Sequence, residues 1–558
     1  MDTLRSTVPT VRLHTEARRY LAVNSSQRLI ARTTLSQVLA NMKDMDLAKA
    51  ALTVYEGEVL IRSYSYAELL QQISLLACWF VREQGVTRGD RVMVMSSNSD
   101  QSYVAHLALM SIGAITVPVS NTESPEVLQI IIDKVRPCLL VTGRDVRSEL
   151  TQLDGDLTHA LPMLPLAVVE SWASVNWPLM AIQPDDPAVI LFTSGTTSSP
   201  KGVCLSHYNL LLNAEGLSRV HNLADRSVHM CVLPLFHANA FGFSMVASLY
   251  AASHVVLCAG LPGAAVWSIL REHRVNVISL VPEIIRVLAS CPEPRTSLPD
   301  LQYVVSAAAP LPQTVAHSFM GNTGIDIHQG YGMSECVNFA ASVPWHVSPE
   351  DFSRACRHWQ VLSIGPAVFG CEIRIVRADG SPANEEEEGE IVVNGHTVML
   401  GYWGEPAATE AAMGDGYLRT GDLGFFAALD GQRYMFITGR KKEIIIRYGE
   451  NLSPLVIEAQ LNALRHFGRY AVTGFANEMA GEEIGLYLHC EPTAQLQQRV
   501  LECVRACSPR YRPRVVLLGR EAIPATPTGK VKRALLAARF AAYEKRVCAN
   551  EPNVVMMA

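Results

Sequence analysis

The sequence predicts an α/β chain: a large N-terminal domain of two α/β subdomains plus a small β subdomain, followed by a small α+β C-terminal domain. Three observations carry this expectation. Two successive series of strand-like and helix-like segments fill residues 66 to 306, the pattern of a mainly parallel sheet covered on both faces. After Gly365 the texture changes to short strands split by Asp-Gly turns. The charged stretch Arg440-Lys441-Lys442-Glu443 then sets off about 115 residues, enough for a small domain with few contacts to the rest. At 558 residues the chain is too long for one core.

The elements follow in order. Residues 1–45 show weak periodicity and several basic side chains, and read as an N-terminal extension with a helix or two. That leaves 46–441 and 442–558 as the two domains. In the first series an amphipathic helix over 66–82 precedes a buried strand over 91–95. A helix over 103–111, a strand over 114–119, a helix over 125–134 and a strand over 138–141 continue it. The second series runs through 228–233, 241–250, 255–257, 266–273, 277–280 and 303–306. The later strands are 372–376, 389–394 and 432–438, with turns at Ala378-Asp379-Gly380 and Leu429-Asp430-Gly431. The four acids at 385–388 read as a solvated turn before a strand rather than a ligand site.

Composition narrows the class of function. Hydrophobic residues at 49% and charged residues at 18% describe a packed globular protein. A net charge of −6 leaves no basic footprint for nucleic acid. The 13 cysteines form no CxxC pair, and Cys503 and Cys507, on one helical face, read as ordinary packing. An odd, unpatterned count points to a reducing compartment, so a cytoplasmic location is expected. No signal peptide is expected behind Met1-Asp2-Thr3-Leu4-Arg5, and no run of ~20 apolar residues predicts a membrane span.

Five segments carry chemistry. The first is Phe192-Thr193-Ser194-Gly195-Thr196-Thr197-Ser198-Ser199-Pro200-Lys201-Gly202, behind the β-run 188–192 and before a helix entered near Ser206. Its hydroxyls and amides cannot be buried without partners, but they can wrap a polyphosphate while Lys201 adds charge. It is no Walker loop, because Pro200 stands where glycine is required. A flexible linker would not end in Pro-Lys-Gly between a buried strand and a helix. The second segment is Gly330-Tyr331-Gly332-Met333-Ser334-Glu335: an aromatic ring able to stack on a purine, a hydroxyl for a phosphate, a carboxylate for Mg²⁺. Alone it is better read as a plain, satisfied loop. The third is Tyr417-Leu418-Arg419-Thr420-Gly421-Asp422, whose aspartate can accept two ribose hydroxyls or serve as a turn residue. The fourth, Thr438-Gly439-Arg440-Lys441-Lys442-Glu443, offers Arg440 as a second ribose partner. The fifth is Pro527-Thr528-Gly529-Lys530-Val531-Lys532-Arg533, whose Lys530 can reach into a cleft or stay on the surface.

In this order and spacing the five segments resemble the adenylate-forming superfamily: acyl- and aryl-CoA synthetases, peptide-synthetase adenylation domains and firefly luciferase. The resemblance spans about residues 60 to 540. It implies that ATP and Mg²⁺ are used, and that the C-terminal domain is mobile. Thr193, Ser194, Gly195, Thr196, Thr197 and Lys201 would form the phosphate loop. Tyr331, between Gly330 and Gly332, would stack on adenine; Ser334 would contact the α-phosphate; Glu335 would be the magnesium-linked carboxylate. Asp422 and Arg440 would hold the ribose, and Lys530 would bridge the acid's carboxylate and the α-phosphate. Lys442 would be the hinge, and Gly449 would leave room for a pantetheine arm. The implied chemistry is an acyl-adenylate formed with release of pyrophosphate, then a thioester formed on CoA or on the phosphopantetheine of a carrier protein.

The acid is narrowed by Pro234-Leu235-Phe236-His237-Ala238-Asn239. Amino-acid-activating relatives tend to hold an aspartate where His237 stands; histidine there is similar to fatty and aryl acyl synthetases, where it gates the acyl pocket. A structural histidine is the other reading. Phe241, Phe243, Met245 and Val281 suggest a greasy wall, and Ala307 and Ala308 stand where the family usually has glycine. An uncharged aliphatic or aromatic acid is expected. Ile446 replaces a lysine of luciferase, and nothing suggests an oxygenase. The run Glu443-Ile444-Ile445-Ile446-Arg447 resembles fatty-acyl-AMP ligases. Only 28 residues follow Lys530, so any acyl or peptidyl carrier is expected to be a separate protein. A non-catalytic nucleotide- or acyl-binding protein is the rival from another class; the joint presence of Lys201, Glu335, Asp422, Arg440 and Lys530 argues against it.

Overall fold

The computed structural model describes residues 16–21, 23, 26–142, 163–165, 181–193, 200–358, 361–413, 415–526, 529–545 and 552–557. It is the expected mixed α/β fold, with a large N-terminal domain and a C-terminal domain built on four sheets. The first sheet runs, in spatial order, through Gly401–Tyr402, Lys201–Ser206, Pro187–Thr193, Ile115–Val119, Arg91–Met95, Leu139–Thr142 and Met163–Pro165. Its central strands are parallel and buried on both faces, which is why they read as unbroken apolar runs.

The covering helices are set by local chemistry. Tyr66–Arg82 begins at a capping box in which Ser65 and Glu68 satisfy each other's backbone N–H groups. Asp100–Ser111 begins at another, Ser99 with Ser102, and is buried nearly all round, so it shows no amphipathic stripe.

The second sheet differs from a simple second series. Its order is Phe339–Ser342, Ile327–Gly332, Tyr303–Ser306, Val277–Leu280, Val228–Cys231, His254–Cys258, Ala50–Glu56 and Val59–Ser65. The last two strands form a hairpin that precedes the first series yet pairs with the second, Leu52 beside Val255. The helix opening at Asn239 is a wide π-type segment to Ala247 before it tightens over Ser248–Tyr250.

The third sheet is five-stranded and antiparallel, with Leu418–Leu429 near its centre between Gln432–Arg440 and Gly389–Gly395. That twelve-residue strand corrects the reading of Asp422 as a turn residue: Asp422 is in a ladder, directly opposite Arg440. The acids at 385–388 form the expected mostly exposed turn; one of them, Glu387, pairs with Arg377.

The fourth sheet belongs to the C-terminal domain: Glu450–Leu452, Ile445–Arg447, Gly481–His489, Val515–Gly519 and Asn553–Met556, with Arg469–Asn477 on Gly481–His489. Separate apolar clusters are built on its residues, one around Ile457, Leu486 and Val504, the other around Phe475, Tyr487 and Phe540. Cys507 is in the first, with Cys503 packed against it. Among the described residues no helix is long and apolar enough to cross a membrane.

Candidate active site

Strand Ile327–Gly332 ends the parallel run of the second sheet and delivers Gly330, Tyr331 and Gly332 to a cavity of about 670 Å³. The cavity is also lined by Ala308 and Ala309, by Asp422, Gly439 and Arg440 of the third sheet, and by Gly529, Lys530 and Arg533 of the C-terminal domain. Three elements far apart in sequence thus meet at one space.

Asp422 is the fixed centre. Its Oδ2 accepts from the Tyr331 hydroxyl at 2.9 Å, and its Oδ1 lies 2.9 Å from Arg440 Nε. Strand register sets the second contact, because Asp422 and Arg440 are cross-strand partners. Both oxygens keep lone pairs for further donors, as a pair of sugar hydroxyls would require. Tyr331 is buried and lines the cavity.

The flanking glycines have a structural reason beyond ligand access. A Cβ on Gly332 would sit 1.6 Å from the Asn338 carbonyl oxygen, and one on Gly330 2.6 Å from the Phe339 ring. Only glycine lets these two strands close. Ala308 has φ 69°, backbone that favours glycine, so its methyl on the cavity floor is held at some strain.

Lys530 sits on a tight turn. Thr526 N–H donates to the Lys530 carbonyl at 2.8 Å, Gly529 N–H donates to the Thr526 carbonyl at 2.9 Å, and Gly529 has φ 85°. Arg469 holds the Gly529 carbonyl at 3.1 Å. Burial, then the nearby Arg440 charge, pushes the Lys530 ammonium down to about 8, while Glu443 and Asp422 pull the other way. It remains mostly cationic at neutral pH and is poorly solvated, ready for an anion.

Glu335 is buried within the short turn Ser334–Cys336. Its Oε1 accepts from the Tyr402 hydroxyl at 2.8 Å, and burial raises its carboxyl above the ordinary range while Arg440 and Lys201 favour the charged form. A buried, hard oxygen donor is suited to Mg²⁺. Lys201 Nζ lies 4.8 Å over the Tyr402 ring. Thr193 and Lys201 are cross-strand partners, so the phosphate-loop sequence joins two antiparallel strands, a hairpin rather than the expected strand–loop–helix. The helix His207–His221 follows only after Lys201–Ser206. Lys134 anchors the end of the loop through the Pro200 carbonyl at 2.6 Å and Glu405 at 2.8 Å. Ser194, Gly195, Thr196 and Thr197 lie outside the described residues.

Other predicted residues stand apart from the cavity lining. Ser334 is half-buried at the start of its turn. His237 is half-buried, its ring 4.5 Å from that of Phe236, and burial lowers it to about 4, so it is neutral at pH 7. Lys442 is exposed in the turn Lys441–Glu443. Gly449, φ 80°, is exposed between Ile445–Arg447 and Glu450–Leu452, with open space where its side chain would be. Tyr402, Lys134 and Arg533 also belong to the constellation and were not legible in sequence. Tyr402 lies on a two-residue strand whose position depends on pairing with Lys201–Ser206.

Fold and site together define an adenylate-forming enzyme. Residues 48–403 match the AMP-binding enzyme family, and the chain belongs to it. A sulfoacetate–CoA ligase of Cupriavidus necator is 32% identical over 469 residues, covering 80% of this chain and 87% of that protein. A long-chain-fatty-acid–CoA ligase of Mycobacterium tuberculosis is 27% identical over 468 residues, 82% of this chain and 90% of that protein. The crystal structure of ATP-bound MatB from Rhodopseudomonas palustris shares the fold with a TM-score of 0.82, across 92% of this chain and 100% of that one at 24% identity. The expected enzyme class, an AMP-forming acid–thiol ligase, stands with these relatives.

Proposed function

We propose that the protein joins a carboxylic acid to CoA in two steps, activating the acid with ATP and then passing the acyl group to the thiol. The observation that carries this reading is the convergence of Tyr331, Asp422, Arg440 and Lys530 on one cavity in a chain of the AMP-binding family. Tyr331 stacks on adenine, Asp422 and Arg440 hold the ribose, and Ser334 contacts the α-phosphate. Thr193 to Lys201 clamp the β- and γ-phosphates. Glu335 would hold Mg²⁺, which supplies charge neutralisation on the phosphates when bound. Lys530 draws the acid's carboxylate and the α-phosphate together, so that the carboxylate oxygen bonds to phosphorus as the bond to pyrophosphate breaks. Catalysis is mostly positioning and charge compensation in a poorly solvated space.

The second step needs Lys530 withdrawn. Residues 442–558 then turn about Lys442, and the exposed Gly449 loop comes to face the adenylate. The thiolate attacks the acyl carbon and AMP leaves. The neutral His237 favours a fatty or aryl acid; Phe241, Phe243 and Met245, expected as a greasy wall, are instead fully buried in the core and do not line the cavity. The relatives reported above are CoA ligases, which supports CoA over a carrier protein as acceptor.

Acid-dependent ATP–pyrophosphate exchange tests the first step; a broad acid panel without exchange would sink the reading. Lys530→Ala is expected to abolish exchange and keep the fold, and exchange at the wild-type rate would remove Lys530 from its role. Product assays with CoA and with a phosphopantetheinylated carrier protein decide the acceptor, with product expected from CoA.

A further inference from the structure

The turn Lys441–Glu443 is held differently on its two sides. Up to Arg440 the chain belongs to the third sheet, fixed by the ladder with Leu418–Leu429 and by the Arg440–Asp422 contact at 2.9 Å. Lys441, itself exposed, reaches the buried Glu390 at 3.2 Å, which Arg419 already pairs at 2.9 Å. From Glu443 onward the attachment changes. Glu443 Oε2 lies 3.1 Å from Arg533 Nε, and this pair is largely buried, with side-chain exposures of 16% and 9%.

Arg533 has no freedom to follow a different element. Its Nη1 and Nη2 meet the two oxygens of Glu458 at 2.7 and 3.2 Å, and Nη1 also donates to the Val472 carbonyl. Glu458 is in turn fixed by the Val472 N–H at 2.8 Å. A planar guanidinium with such acceptors on helix Pro454–Gln460, on strand Arg469–Asn477 and on the turn is a rigid three-way junction. Arg533 also lies three residues after Lys530. The intervening chain is stiff, because Ala525 bridges Val531 and Lys532 N–H donates to the Pro524 carbonyl at 2.8 Å.

We infer that Arg533 is a positioning residue: through Glu443 it ties the C-terminal edge of the turn to the segment bearing Lys530, confining the domain swing to Lys441 and Lys442. The inference rests on the two-step reading above. Glu443 and Lys530 then move as one body, and Lys530 returns to the same place each cycle. Without the tie, the pivot spreads into Ile444 and beyond, and Lys530 arrives loosely.

The test uses Arg533→Gln, Glu443→Gln, their combination, and Val504→Ala in the full chain. Hydrogen exchange of the amides from Lys441 to Arg447 is read without any substrate. Both single variants are expected to speed it by at least about tenfold, and the double variant no further. Unchanged exchange, or additive effects, overturns the inference even if no acid supports activity. With an active acid, both variants are expected to lower kcat for ATP–pyrophosphate exchange about 100-fold, the cost of a misplacement on the order of an ångström, with KM for ATP nearly unchanged. Val504→Ala, in the C-terminal core away from the cavity lining, controls for folding: it should lower thermal stability without this split between kcat and KM. Parallel losses of kcat and stability in all the variants would reduce Arg533 to a structural residue. A wild-type protein inactive on every acid would instead count against the ligase reading, with hydrogen exchange still deciding the role of Arg533.

Discussion

Replacing Lys530 by methionine should make the protein more stable and catalytically dead, and the structure sets the size and pH dependence of the gain. Lysine's ordinary 10.5 falls to about 8 at this position, first through burial and then through the Arg440 charge. At ~1.4 kcal/mol per pH unit, that gap means the folded protein carries about 3 kcal/mol of penalty for keeping the ammonium charged. Below pH 8 both folded and unfolded chains hold the proton, so the penalty is present in full. Between about 8 and 10.5 the folded protein releases the proton first, and the wild type gains stability as pH rises. Above 10.5 the penalty is gone. Lys530→Met is therefore expected to exceed wild type by about 3 kcal/mol in urea unfolding at pH 7 and to lose most of that margin by pH 10. ATP–pyrophosphate exchange should vanish in the same variant. A variant no more stable than wild type at pH 7, or one with the same margin at both pH values, would refute the account of a desolvated lysine held for function.

Gly332→Ala would place a methyl 1.6 Å from the Asn338 carbonyl oxygen, so the strand pair must open; thermal unfolding and nucleotide binding should both deteriorate severely. Asp422→Ala leaves the buried Tyr331 hydroxyl without its acceptor and Arg440 without its partner, at about 1–3 kcal/mol, and ATP affinity measured by calorimetry should drop by more than tenfold. Buried neutral histidines set an acid limit. His106, His229 and His328 are each lowered by burial from 6.5 to about 3, so their stability contribution is present above pH 6.5 and is lost as pH falls towards 3. Each accounts for about 2 kcal/mol by pH 5, and a melting temperature that stays level from pH 7 to 5 would contradict this.

Much of the scaffold was legible because parallel central strands are apolar on both faces and helices carry their own caps. The helix Tyr66–Arg82 and the strands Arg91–Met95, Val277–Leu280 and Tyr303–Ser306 have the bounds their patterns predict. Long-range pairing was not legible. The hairpin Ala50–Ser65 carries exposed Val59, Leu60 and Ile61 on its outer strand, so burial alternation could not reveal it, and its partner is far away in sequence. Strand Leu418–Leu429 was hidden by its glycines and charged residues, which suit a turn locally and are strand only because two neighbours pair with it. At the site, motif order singled out Tyr331, Asp422, Arg440 and Lys530. Tyr402 and Arg533 act through geometry that no local pattern encodes: one reaches Glu335 from a sheet edge, the other joins three elements by side-chain bonds alone.

The hairpin Ala50–Ser65 also sets an order of assembly. The first sheet is built entirely from strands made after it, and the second sheet cannot be closed until His254–Cys258 has been synthesised to receive Ala50–Glu56. An early-made strand with a bare apolar edge must therefore wait, through the making of the whole first series, for its late partner. Such non-local pairing slows folding and leaves the waiting edge open to other chains. The two α/β series are consequently one folding unit, and a chain cut between them would separate a strand from its sheet.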